Sequence, residues 1–252
     1  MSEGHGRVNG DGGADNDGGG GGAGLRCLVT GATGYIGGRL VPELLAAGHR
    51  VRCLARSPHK LRDHPWAGQA EVVRGDVTDA VSVSGAMEGI DVAYYLVHAL
   101  GGGGDFEETD RRAARTFAER AEAAGVRRIV YLGGLTPPGV PEHDLSPHLR
   151  SRAEVGRVLL ASGVPTTVLR AAVVIGSGSA SFEMLRYLTE RLPVMVTPSW
   201  VHTRIQPVAV RDVLRALVGS ARMPGDVSRA FDIGGPDRDP RPSGPVRDTP
   251  AS

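Results

Sequence analysis

The stretch Thr30-Gly31-Ala32-Thr33-Gly34-Tyr35-Ile36-Gly37 follows a short apolar run over residues 25–29 and opens an amphipathic segment. A glycine-rich turn that joins a strand to a helix in this way is a dinucleotide phosphate cradle. Gly31 can take a positive-φ turn, Gly34 lets the backbone approach a pyrophosphate, and Gly37 lets the new helix pack closely. The helix start then presents unpaired N–H groups and a positive dipole end to the phosphates. Gly31, Thr33, Gly34, Tyr35, Ile36 and Gly37 are therefore the expected cradle residues.

Downstream of the turn, strands and helices alternate. The pattern predicts strands at residues 25–30, 50–55, 70–74, 91–97, 128–132 and 166–174. Helices are expected at 35–47, 57–63, 79–87, 105–124 and 147–161, the first stopping at Gly48 and the fourth at Gly125 in the manner of glycine C-caps. Such alternation defines an α/β fold, a doubly wound parallel sheet of Rossmann type. Right-handed crossovers give the order 3-2-1-4-5-6 and place the ligand crevice between the carboxyl ends of the first and fourth strands. Residues 25–175 form the nucleotide-binding domain in this reading. A partial substrate lobe follows at 176–235, with helices at 181–191 and 211–220, an apolar stretch at 194–196, a segment at 204–210 and a strand at 229–233. The Gly/Asp-rich residues 1–24 and the proline-rich residues 236–252 read as a disordered leader and tail.

Composition narrows the function. The chain has 252 residues, 40% of them apolar, enough for one well-buried domain, and a formal net charge of +1 without a basic block. Nothing there suggests a nucleic-acid partner or a membrane-surface patch, and no apolar run is long enough to span a bilayer. A small neutral or anionic ligand and a cytoplasmic location are the expectations. Two cysteines, Cys27 and Cys53, fall on predicted strands and read as reduced core residues. No Cys/His spacing suggests a metal, and no Gly-x-Ser-x-Gly suggests a hydrolase.

The residue at the end of the second strand faces the adenosine ribose in a dinucleotide fold, and an acidic side chain there accepts the 2′-hydroxyl of NAD. This sequence has Arg56, with Arg52 and Lys60 nearby, which suits a 2′-phosphate and favours NADP over NAD. Asp76 and Val77, in the loop after the third strand, could meet the adenine edge and ring. Asp76 could equally serve turn chemistry, and Asp79 is the better helix cap. His98, just past the fourth strand, stands at the expected crevice before Gly101 to Gly104. Ser177, Ser179 and Ser181 follow the sixth strand, and Arg204 and Gln206 could meet a substrate.

Thr30-Gly31-x-x-Gly34-x-x-Gly37, Ala55-Arg56-Ser57-Pro58, Gly75-Asp76-Val77-Thr78-Asp79, Gly125-Val126-x-Arg128-Ile129-Val130-Tyr131 and Asp232-Ile233-Gly234-Gly235-Pro236 together resemble the short-chain dehydrogenase/reductase superfamily. The resemblance is to its extended or atypical branch, and most of all to NmrA-like NAD(P)H-binding proteins of nucleoside-diphosphate-sugar-epimerase type. It implies nicotinamide-dependent redox chemistry on a small-molecule substrate. Typical members carry a Ser after the fifth strand and a Tyr-x-x-x-Lys on the next helix; here Gly133 and Gly134 occupy the Ser region. His148 and Arg152 hold the Tyr and Lys spacing, so they are the candidate catalytic pair. Resembling proteins also continue beyond the Gly-Gly-Pro-Asp segment, where this chain turns proline-rich as if truncated. Two readings follow: an NADP-dependent oxidoreductase of unknown carbonyl or quinone substrate, or a non-catalytic NADP(H)-binding sensor or scaffold with a protein partner.

Overall fold

The computed structural model describes residues 24–97, 106–137, 139–178 and 207–234. Seven strands form one parallel sheet in the order β3-β2-β1-β4-β5-β6-β9. In chain order these are β1 (Arg26–Thr30), β2 (Arg50–Ala55), β3 (Glu71–Arg74), β4 (Val92–Tyr95), β5 (Arg128–Gly134), β6 (Thr166–Ala171) and β9 (Arg229–Ile233). The first six stand in the expected order, and β9 pairs in parallel beside β6.

Among the described residues two helices cover one face and three the other, because both faces of a parallel sheet must be buried. On β1, Cys27 and Val29 point into one core and Leu28 into the other. The first core is closed by α1 (Tyr35–Ala46) through Leu40, Val41 and Leu44, and by α5 (Val210–Ser220) through Val213, Leu214 and Leu217. The second is closed by α2 (Ala80–Met87), α3 (Phe106–Ala123) and α4 (Pro147–Leu160), with Met87, Phe117 and Leu159 fully buried. Local signals mark the ends. Asp79 accepts from the backbone N–H of Val81 and Ser82 and so caps α2, and Ser146 caps α4 by accepting from Leu149. After α1 the chain turns back through Gly48 at φ +81°.

Three expectations change. The sixth strand does not run unbroken to residue 174: it bends at Ala172, and β7 (Val173–Ile175) leaves the main sheet to pair with β8 (Pro207–Ala209). Residues 207–234, expected in a partial substrate lobe, instead supply β8, α5 and the seventh strand of the main sheet, since their apolar residues pack on α1 and β6. Arg52 is withdrawn from the nucleotide site, because Nε meets Glu71 Oε2 at 2.8 Å and Nη1 donates to the Ala86 and Glu88 carbonyls. The leader up to residue 23, the tail, the helix at 181–191, the stretch at 194–196, His98, Ser179, Ser181, Arg204 and Gln206 lie outside the described residues.

Cys27 and Cys53 are free, and burial pushes both thiols up to about 12. Their register, Cys27 opposite Val51 and Cys53 opposite Val29, sets them two positions apart along adjacent strands. His49 is 4% exposed and its Nδ1 accepts from the Leu25 N–H at 3.1 Å. Burial, and then the Arg222 charge, lower its pKa from 6.5. The folded state thus binds this proton less well than the unfolded chain, so stability is full above about 6.5 and declines as pH falls toward the folded value. A series of melts from pH 8 to 5 should show the midpoint falling below about pH 6.5, and His49→Asn, which retains an acceptor, should flatten that part of the curve.

Candidate functional site

The glycine turn sits at the carboxyl end of β1 between β2 and β4, where the chain crosses from one half of the sheet to the other. Gly31 has φ +76°, and a Cβ on it would collide with the Leu96 carbonyl at the end of β4. Gly37 packs its α-carbon against the Gly31 carbonyl, so the helix rests on its own turn with no room for a side chain. Gly34 differs from both: its φ is −87°, and an added Cβ would meet Gly31 O alone, at 3.2 Å. It is exposed, and the space above it is open. No side chain caps the start of α1, unlike those of α2 and α4. Its first N–H groups therefore face the crevice without a side-chain acceptor.

That crevice is a cavity of about 360 Å³. Gly31, Gly34, Tyr35, Ile36 and Gly37 wall one end, Gly133, Gly134, His148, Leu149 and Arg152 the other, and Leu96, Leu132 and residues 171–174 the sides. Two parts of the sequence read separately, the cradle and the His148/Arg152 pair, thus meet across one space. Thr33 is exposed beside it, on a groove it shares with Arg39 and Trp66.

The adenosine-side candidates lie beyond the cavity wall. Thr30 is in register with Leu54, so Arg56, one residue past β2, stands level with the turn. Arg56 and Lys60 are both exposed, and neither makes an ion pair among the described residues. The intervening loop is held by Trp66, whose Nε1 donates to the Gly38 carbonyl of α1 at 3.1 Å. Asp76 Oδ1 accepts from the backbone N–H and hydroxyl of Thr78, which is the turn chemistry, and Val77 packs partly on the second core.

At the other end, His148 is exposed in the first turn of α4. Partial burial and then the Arg152 charge lower its pKa, with the Asp110 carboxylate acting against them. Arg152 Nη2 donates to the Leu132 carbonyl at 2.9 Å, while its Nε is shielded from solvent with no partner. Tyr131 cannot replace the absent tyrosine. It is 3% exposed, donates to the Arg152 carbonyl at 3.1 Å, and burial pushes its pKa up to about 12.

Sequence reading missed two features. Tyr35 donates from its hydroxyl to the Ser177 carbonyl, and Arg39 lies over the Tyr35 ring and donates to the same oxygen, tying α1 to the loop after β7. Asp110, 7% exposed on α3, accepts from Ser151 Oγ at 2.8 Å and so fixes α4. A signal for it existed, since Asp110 sits on the stripe of Phe106, Ala113, Phe117 and Ala121, where a carboxylate needs a buried partner.

A glycine cradle at the switch point of a doubly wound parallel sheet, with an open helix start behind it, defines a dinucleotide-binding protein. The sequence pattern of the NAD(P)H-binding family matches residues 31–185, and the chain belongs to that family. A (4-alkanoyl-5-oxo-2,5-dihydrofuran-3-yl)methyl phosphate reductase of Streptomyces griseus is 30% identical over 217 residues, 83% of this chain and 68% of that one. A 3 beta-hydroxysteroid dehydrogenase/Delta 5→4-isomerase of Mycobacterium tuberculosis is 38% identical over 116 residues, 42% of this chain, and the match spans only 30% of that relative's length. Among solved structures, MoeE5 in complex with UDP-glucose and NAD superposes with a TM-score of 0.65 at 25% identity, covering 83% of this chain and 76% of that one. Among the described residues, no helix is long and apolar enough to cross a membrane and no cluster of His, Cys, Asp and Glu could hold a metal.

Proposed function

We propose that the protein is an NADP-dependent oxidoreductase acting in the cytoplasm on a small carbonyl or quinone substrate. The observation that carries the reading is the crevice itself, with the phosphate cradle at one end and His148 and Arg152 at the other. Reductase and dehydrogenase relatives support the reaction class. NADPH, when bound, supplies a hydride. The chain's residues have the remaining tasks. Backbone amides of the turn and of α1 bind pyrophosphate, and Arg56, with Lys60, meets the 2′-phosphate. Asp76 and Val77 take the adenine side, and His98 is the remaining candidate for cofactor contact. Leu96, Leu132 and Leu149 exclude water, which strengthens every charge interaction inside. As an imidazolium, His148 gives a ring proton to the oxygen of the reduced carbonyl, and Arg152 balances the charge that develops there.

A second reading, an NADP(H)-binding sensor or scaffold with a protein partner and without turnover, is favoured by Gly133 and Gly134. They leave no hydroxyl where the superfamily carries its Ser.

Titration with NADPH and NADH, followed by nicotinamide fluorescence, tests the cofactor assignment. A guanidinium–phosphate contact is worth about tenfold or more, so NADPH should bind at least that much more tightly than NADH, and Arg56→Ala should erase the difference while leaving NADH unchanged. Equal binding of both cofactors, or a preference that survives in Arg56→Ala, refutes the 2′-phosphate assignment.

A further inference from the structure

A second cavity, of about 280 Å³, lies on the other side of the crevice wall, between α4 and the ends of β5 and β6. Gly133, Gly134 and Arg152 border both spaces. Tyr131, Leu145, Ala153, Leu160, Val168 and Ala230 give the second cavity its apolar lining, and Thr136, Glu142, Arg157 and Arg170 line it as well. Small-molecule sites generally start near 300 Å³, so neither cavity alone leaves much room for a sizeable ligand beside a dinucleotide. Glycine lets α4 lie close to β5 along the shared wall. A Cβ at Gly134 would stand 2.9 Å from Leu149 Cδ2 and 3.5 Å from Arg152 Nε, in the gap between β5 and α4.

Arg152 carries the chemistry of this junction. Buried polar groups without a partner are rare, and each calls for an explanation. Two side-chain atoms among the described residues qualify, Arg120 Nε and Arg152 Nε, and Arg152 is the one that borders these cavities. Among the described residues it makes no ion pair. Glu142 and Glu154 both pair with Arg157, Asp232 pairs with Arg170, and Asp110 holds Ser151. A cationic donor thus stands on the border of the two spaces, donating to the Leu132 carbonyl.

We propose that the two cavities form one ligand site, in which Arg152 receives the oxygen of an apolar molecule bearing a single carbonyl or carboxylate and the second cavity takes its hydrocarbon part. This names the substrate class for the crevice of the proposed reductase and rests on that reading only in sharing the space. Isothermal titration with hexanoate, decanoate and decan-1-ol tests it without requiring turnover. A cavity that buries the chain should tighten binding by roughly fourfold per methylene from hexanoate onward, and a carboxylate on Arg152 should bind roughly tenfold or more tightly than the alcohol. Arg152→Leu should abolish the preference of decanoate over decan-1-ol and keep the dependence on chain length, with circular dichroism verifying the fold. Affinity flat in chain length, or equal binding of decanoate and decan-1-ol by the unaltered protein, overturns the proposal. NADPH titration in parallel separates the readings: decanoate bound through Arg152 without NADPH binding ends the reductase assignment and leaves the apolar site standing.

Discussion

Gly31→Ala should weaken NADPH binding by about 100-fold or more, whereas Gly34→Ala should leave the fold intact and still cost about tenfold, since each charge-assisted phosphate contact is worth about 1.5–3 kcal/mol. The two substitutions add the same methyl group to the same turn and differ in what it meets. At Gly31 the backbone has φ +76°, which alone costs an L-residue roughly 1–2 kcal/mol. The methyl group would also be driven into the Leu96 carbonyl. Backbone on the neighbouring strand cannot move aside as a flexible side chain would, so the turn must shift and its amides lose their aim. Melting and titration should therefore both respond. At Gly34 the backbone angle suits any residue and the one close neighbour is Gly31 O, at 3.2 Å. The methyl group then projects into the open space above the helix start, where a pyrophosphate would rest. The midpoint should stay within a few degrees while affinity drops. A Gly34→Ala protein that binds NADPH as well as the unaltered chain would mean that phosphate does not approach this turn.

The fold was legible because its signals are local. Periodicity, glycine stops and an N-cap at Asp79 each depend on a few adjacent residues, and the parallel order follows from connection handedness. What escaped were consequences of long-range contact. The bend at Ala172 has no composition of its own; it exists because β8 offers β7 a partner more than thirty residues away in sequence. Residues 207–234 looked like the start of another lobe because the regular alternation had loosened, yet the apolar stripe of α5 fits the face of the sheet already lined by α1. Arg52 looked like a phosphate ligand by proximity to Arg56, but it stands four residues earlier, back from the carboxyl end of β2, and the register with Glu71 decided its partner. In the site, the glycine turn was readable from spacing alone. The second cavity and the orphaned Arg152 Nε were not, because both arise from how α4 lies over β5.

The helix α4 also fixes how the candidate proton donor should behave. His148 enters its first turn, behind the Ser146 cap and Pro147, where the positive end of the helix disfavours an imidazolium as Arg152 does. Partial burial, the leading cause, acts in the same direction, and Asp110 opposes it. The folded pKa therefore lies below the ordinary 6.5. A general acid works only in its protonated form, so carbonyl reduction with NADPH should accelerate as pH falls, with kcat/KM levelling off below that value. An enzyme with the superfamily's tyrosine as donor would have no such inflection from a histidine. His148→Ala should lower turnover by roughly 10²-fold or more and remove the inflection, while NADPH affinity, set at the far end of the crevice, stays near that of the unaltered protein. His148→Gln keeps a polar side chain of similar reach but cannot give up a proton, and it should be as slow as the alanine variant if proton transfer is the role. The screen would follow NADPH oxidation against carbonyl, quinone and enone substrates. Comparable rates for the three proteins would take His148 out of the chemistry. Silence across the whole panel, with NADPH still tightly held, would shift the assignment to the sensor, whose output is a change of surface when the crevice fills.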